Sequence, residues 1–224
     1  MDKLKSKKIL SAFIEFISYH IFPFIFIFVH NLNNYSLHGF LIIMVAMVAL
    51  YKEYILTLNP NKYFHILYSV IYILLAALSL HSLNLFVIVL VFAQLAFLYM
   101  TRYLPDNYQN LVSLVEDFVV PSFMSIALAF TYMHFISVNF VVPLLLVNLA
   151  TVLINYFEGT KTDYIELAVI SVLCVILFLL NYISLWTALA IIVFVIAMSL
   201  LKKYKNFNQS NLFYRVIGNL ILVV

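Results

Sequence analysis

The stretch KYFHILYSVIYILLAALSLHSLNLFVIVLVFAQLAFLYMTR, residues 62–102, decides the fold. An apolar run over residues 63–80 meets a short turn at 81–83, and a second apolar run returns over 84–100. Each run has close to the roughly 20 residues that a helix needs to cross a hydrocarbon core. Cations stand at the two open ends of the pair, Lys62 and Arg102, and the turn holds none. The pattern predicts a helical hairpin that enters and leaves a membrane on the same side.

Working outward, the same unit recurs. Apolar runs at 9–29 and 38–58 precede it, and runs at 118–138, 140–157, 164–180 and 184–201 follow. Lipid offers no hydrogen-bond partner to the backbone, so such runs must satisfy their peptide groups internally, as helices. The expected fold is all-α: a polytopic transmembrane bundle of eight spans in four antiparallel hairpins. Residues 101–117 are read as a longer connection with an amphipathic piece at 111–117. The tail, 212–224, is only about 20 Å long as a helix, which suits a short, partly inserted ninth helix. The chain reads as one integral membrane domain over residues 1–224.

All 12 Lys and Arg residues fall on alternate connections. They are Lys3, Lys5, Lys7 and Lys8, then Lys52 and Lys62, then Arg102, then Lys161, then Lys202, Lys203, Lys205 and Arg215. Short cationic loops resist translocation, so this asymmetry predicts a cytoplasmic N-terminus. Most acidic residues share that side, whereas the opposite turns carry His30, His38, His81 and His134. The composition, 66% hydrophobic and 9% charged with mean hydropathy +1.11, lies far outside the range of soluble domains. The net charge of +3 sits at membrane-flanking positions and does not indicate a nucleic-acid partner. The abundance of Phe, Tyr, Ile and Asn with scarce Gly reflects an AT-rich bacterial genome as much as selection, and the expected location is the bacterial plasma membrane. The basic start and first apolar run read as a retained signal anchor, because Glu15 interrupts the run. Cys174 is the single cysteine, so no intrachain disulfide forms.

Candidate chemistry gathers at the cytoplasmic ends. Glu15 lies six residues into the first span, about 9 Å deep at 1.5 Å per residue. Lys52 and Glu53 reach a similar depth from the second span. Consecutive antiparallel helices place Glu15 and Lys52 side by side, which predicts an ion pair. An ionisable residue inside a membrane is a functional candidate by default. The competing and favoured reading is a structural pair, with Lys52 snorkelling towards the interface. Gln94 and Asn148 fall near mid-membrane, where amides usually bridge helices. The four outer histidines match no metal-ligand spacing, and Trp186 reads as an interface anchor.

Glycine is scarce: Gly39, Gly159 and Gly218 are the only three, and none sits mid-membrane. Pro23 is the one interior kink expected; Pro121 and Pro143 are read as first-turn prolines. Alternating-access carriers commonly bind substrate through interrupted helices. That signature is missing here, which disfavours a dedicated carrier.

The segment Asn155-Tyr156-Phe157-Glu158-Gly159-Thr160-Lys161-Thr162-Asp163 ends the sixth run. With this segment and the hairpin layout, the chain resembles the intramembrane prenyltransferase (UbiA) superfamily and the YwiC-like membrane proteins. The resemblance implies about nine helices, a cytoplasmic N-terminus and acidic motifs on the second and sixth helices that hold Mg²⁺ and a prenyl diphosphate. Neither NDxxDxxxD nor DxxxD occurs. Glu53, near the end of the second run, and Glu158 and Asp163 stand where those motifs would be, but the spacing of the latter two differs from the motif and ordinary loop charges are the favoured reading.

Three functional classes follow. The leading one is a noncatalytic membrane subunit that binds a lipid or a partner protein. The alternative is a cytoplasm-facing enzyme acting on a polyprenyl or similar lipid, with Glu15, Lys52, Glu53, Glu158 and Asp163 lining its site and Mg²⁺ as cofactor. The third is a permease or export-system subunit.

Overall fold

A computed structural model describes residues 2–30, 38–56, 61–156, 165–205 and 211–221. Among the described residues the chain is all-helical, with no strand. The described residues form ten α-helices: α1 Asp2–Val29, α2 Gly39–Leu50, α3 Lys62–Ser79, α4 Leu85–Thr101, α5 Gln109–Leu114, α6 Val120–Met133, α7 Val138–Tyr156, α8 Ile165–Leu179, α9 Leu185–Lys205 and α10 Asn211–Ile221. Among the described residues three helical stretches, Ser6–Val29, Lys62–Ser79 and Asn110–Met133, are long and apolar enough to cross a membrane. Four shorter apolar helices accompany them.

Turn chemistry explains where the helices stop and start. The Asn84 side chain accepts a hydrogen bond from Phe86 N at 2.9 Å, capping α4. Ser184 Oγ does the same for Thr187 N at 3.0 Å and caps α9. His134 and Asn181 adopt left-handed backbone, with φ of 61° and 59°, and end α6 and α8. The Asn181 turn closes with Tyr182 N donating to Leu177 O at 2.9 Å.

The chain divides into two compact units, Met1–Phe135 and Ile136–Val224. The boundary falls inside the expected third hairpin, so its two helices belong to different units. In the first unit α1 packs on α2 and α6, α4 packs on α6, and α3 lies against α2 and α4. In the second, α8 pairs with α9, and α10 packs on α7 and α9.

Three expectations are corrected. Residues 109–117 do not belong to a connection: α5 runs through a π-helical turn, Val115–Val119, directly into α6. Pro121 is the physical cause. It has no N–H for the Asp117 carbonyl, and its ring crowds that carbonyl. The wider turn absorbs the clash, and Val120 N bonds to Val115 O, five residues back. Pro121 stands in the first turn of α6, as expected, but that turn continues a helical run already under way. Secondly, Arg215 is not a loop cation: it is buried on α10 beside buried Tyr214. Thirdly, Gln94 does not bridge helices through its amide nitrogen, which donates to Leu90 O of its own helix at 2.9 Å.

Pro143, expected in a first turn, lies inside α7. Pro23, as expected, lies inside α1, which continues past it. Its missing N–H leaves the Tyr19 carbonyl without the usual intrahelical donor. Ser125 Oγ of α6 donates to that carbonyl at 3.0 Å. A neighbouring hydroxyl thus re-satisfies the freed backbone group and ties α1 to α6.

The tail helix is placed by Gly218. A Cβ there would collide with Val147 Cγ1 of α7 and stand 3.0 Å from Phe194 Cζ of α9. Only glycine permits so close an approach. At 11 residues α10 is roughly 16 Å long, too short to cross a bilayer alone.

Candidate functional site

Two π-helical turns meet at one buried cluster of charge. The first, Tyr51–Ile55, continues α2 and carries Lys52 and Glu53; its closing bond runs from Leu56 N to Tyr51 O. The second, Val115–Val119, carries Glu116 and Asp117. Such turns insert one residue into a helix and re-aim the side chains around it. Helix α1 supplies Glu15.

Lys52 is the hub. Its ammonium donates to Glu15 Oε1 at 2.8 Å and to Asp117 Oδ1 at 3.1 Å. Glu53 Oε1 lies farther off, at 3.9 Å. The Lys52 and Glu15 side chains are 6% and 0% exposed, so the pair is shielded from solvent on both sides. Tyr19 donates its hydroxyl to the same Glu15 oxygen at 2.7 Å, one helical turn further along α1. Glu116 sits at the margin and accepts from Thr101 Oγ1 at 3.3 Å. Isolated charges out of water are strongly unfavourable, and pairing with hydrogen bonds offsets that loss.

A second polar group adjoins the hub through Tyr51. Its hydroxyl shares a 2.9 Å hydrogen bond with Nδ1 of buried His65 on α3. Tyr68 donates to Met47 O at 2.6 Å and Tyr72 to Val91 O at 2.8 Å, so α3 is fastened to α2 and α4 by phenols. The His65 ring faces Tyr99 of α4 at 6.3 Å.

Of the residues singled out from sequence, Glu15, Lys52 and Glu53 come together. Glu158 and Asp163 lie outside the described residues. Sequence reasoning missed Asp117, Tyr19, Thr101 and His65 as members. Pro121, four residues after Asp117, was the available signal for the distorted turn. The remaining members come from helices distant in sequence, and nothing local marks them.

The arrangement does not suit magnesium. The carboxylates Glu15 and Asp117 converge on an ammonium, which fills the place a cation would take. Magnesium demands near-octahedral oxygen ligation. Among the described residues no group of three or more His, Cys, Asp or Glu side chains is disposed to hold a metal ion, the outer histidines included. The cluster pairs the Lys52 ammonium with carboxylates from two other helical runs.

In comparisons with known proteins, no family model, curated protein or solved structure matches the chain.

Proposed function

We propose that the chain is a multi-pass protein of the bacterial plasma membrane, with eight spans, a short tail helix and a cytoplasmic N-terminus. It serves there as a noncatalytic membrane subunit that binds a lipid or a partner protein. One observation carries this reading: polarity is inverted. Lys52, Glu15, His65 and Gln94 are buried, whereas α3 turns Ile66, Leu67, Val70, Ile71, Leu74 and Leu78 outward. An apolar face of that kind suits lipid as the surrounding medium and is unfavourable in water. The segregated cations supply the orientation. The mutual engagement of Lys52 with its carboxylates supports a role in holding helices rather than in turning over a substrate.

Alkaline extraction of membranes, followed by native mass spectrometry in mild detergent, tests the proposal. The protein stays with the membrane and then carries a stoichiometric protein partner or retained lipid. Release by alkali contradicts the membrane reading. A bare monomer that converts a polyprenyl diphosphate contradicts the noncatalytic one.

A further inference from the structure

Arg102 caps the C-terminal end of α4, immediately after Thr101, the end that the proposed topology puts at the cytoplasmic side. Its guanidinium stands 6.0 Å from the Tyr103 ring centroid and within electrostatic reach of Tyr51 and Tyr99. The Tyr99 and Tyr103 hydroxyls share a 2.9 Å hydrogen bond. Since only one hydroxyl donates in that bond, the other keeps its proton for a further acceptor. Across the hairpin α3 begins at Lys62, whose ammonium lies 5.5 Å from the Tyr63 ring centroid. The 6.3 Å contact between the His65 and Tyr99 rings holds these two helix ends together.

The guanidinium is underused. Arg102 Nη1 is enclosed by protein and has no hydrogen-bond partner. Among the described residues no carboxylate forms an ion pair with Arg102, although Glu15, Glu53 and Asp117 all gather on Lys52 nearby. Glu116 accepts from Thr101, the residue next to Arg102. A planar guanidinium is shaped for a carboxylate or a phosphate. Arg102 as a whole is only partly buried, so the remainder of its guanidinium is open to an external acceptor. At the cytoplasmic boundary of a bilayer the abundant oxyanion is the lipid phosphate.

We propose that Arg102, the Tyr99–Tyr103 hydroxyl pair and Lys62 form a binding site for the phosphate of an anionic phospholipid in the cytoplasmic leaflet. Arg102 donates to two phosphate oxygens, a tyrosine hydroxyl to a third, and Lys62 adds charge at the rim. This site rests on the membrane reading above and names the lipid class.

The test reconstitutes the full chain into vesicles of equimolar phosphatidylcholine and phosphatidylglycerol, then compares co-purified lipids by native mass spectrometry. The wild type retains phosphatidylglycerol over phosphatidylcholine, and Arg102→Gln lowers that ratio roughly tenfold. Arg102→Lys, which keeps the charge but loses the fork, retains clearly less than the wild type and guards against a folding artefact. Equal ratios in wild type and both variants overturn the site while leaving the membrane reading intact. Full displacement of phosphatidylglycerol by millimolar inorganic phosphate overturns the lipid assignment in favour of a soluble phosphate ligand. Failure of the wild type to enter vesicles at all contradicts the membrane reading itself.

Discussion

The ammonium of Lys52 lies 2.8 Å from Oε1 of Glu15, joining side chains 37 residues apart in a place closed to solvent. Asp117 completes the arrangement from a third helical run, at 3.1 Å. Lys52 therefore sits between two close carboxylates, with Glu53 and Tyr19 around them. Removal of one partner from such a network leaves uncompensated buried charge, whereas its joint replacement by apolar groups is tolerated far better.

Pro121 sets the aim of Asp117. Substitution Pro121→Ala restores an N–H that the Asp117 carbonyl accepts, and the π-helical turn then has no cause. An ordinary helix rotates residues 115–119 by about 100° relative to α6 and carries Asp117 away from Lys52. The coupling energy between Lys52→Met and Asp117→Asn, measured by a double-mutant cycle, falls towards zero in the Pro121→Ala background. Undiminished coupling there shows that the turn does not depend on the proline.

Ser125 compensates Pro23. Ser125→Ala strips the donor from the Tyr19 carbonyl and destabilises the first unit by about 1–2 kcal/mol. In a Pro23→Ala background the helix supplies its own N–H, and the same Ser125 substitution has a smaller effect. Reversible unfolding of the four proteins in detergent gives both numbers. Equal effects in the two backgrounds separate the serine from the proline.

Gly218 fixes the tail helix. Gly218→Ala forces a methyl against Val147 and Phe194, an overpacking that costs about 1–3 kcal/mol. Hydrogen exchange over residues 211–221 rises if α10 is held by this contact. Gly39→Ala is the matched control, since nothing lies within 4 Å of a Cβ there. Unchanged protection of α10 in Gly218→Ala shows that other contacts hold it.

The orientation is open to labelling. In a Cys174→Ala background, Ser82→Cys reacts with a membrane-impermeant thiol reagent on intact cells, and Asn107→Cys reacts only after lysis. The opposite result inverts the assigned topology.

Much of this was legible in sequence, for identifiable reasons. Long apolar runs bounded by Lys62, Arg102 and the 81–83 turn have no other stable form than helices. The Glu15–Lys52 pair was legible because two consecutive antiparallel runs place them at equal depth. Asp117 was not, since its position depends on a helix that passes through a distorted turn instead of starting after it. The pairing of α1 and α4 with α6 left no trace either. Faces that meet lipid and faces that meet other helices are equally apolar, so periodicity does not separate them. Pro23 was visible as an interior proline, but its partner Ser125 lies 106 residues away from Tyr19. The buried state of Arg215 was hidden because a cation near a chain end resembles a loop residue until the helix around it is packed.

The most direct measurement is a double-mutant cycle on Glu15→Gln and Lys52→Met in reconstituted bilayers. Lys52→Met alone is expected to destabilise the protein by roughly 3–5 kcal/mol, because Glu15 and Asp117 remain buried without their cation. The double variant loses less than the sum of the single losses, with coupling of about 1–3 kcal/mol. Glu53→Gln, at the longer distance and partly exposed, changes stability by less than about 1 kcal/mol. Additive effects with a Lys52→Met loss below about 1 kcal/mol contradict a first unit organised around this buried charge.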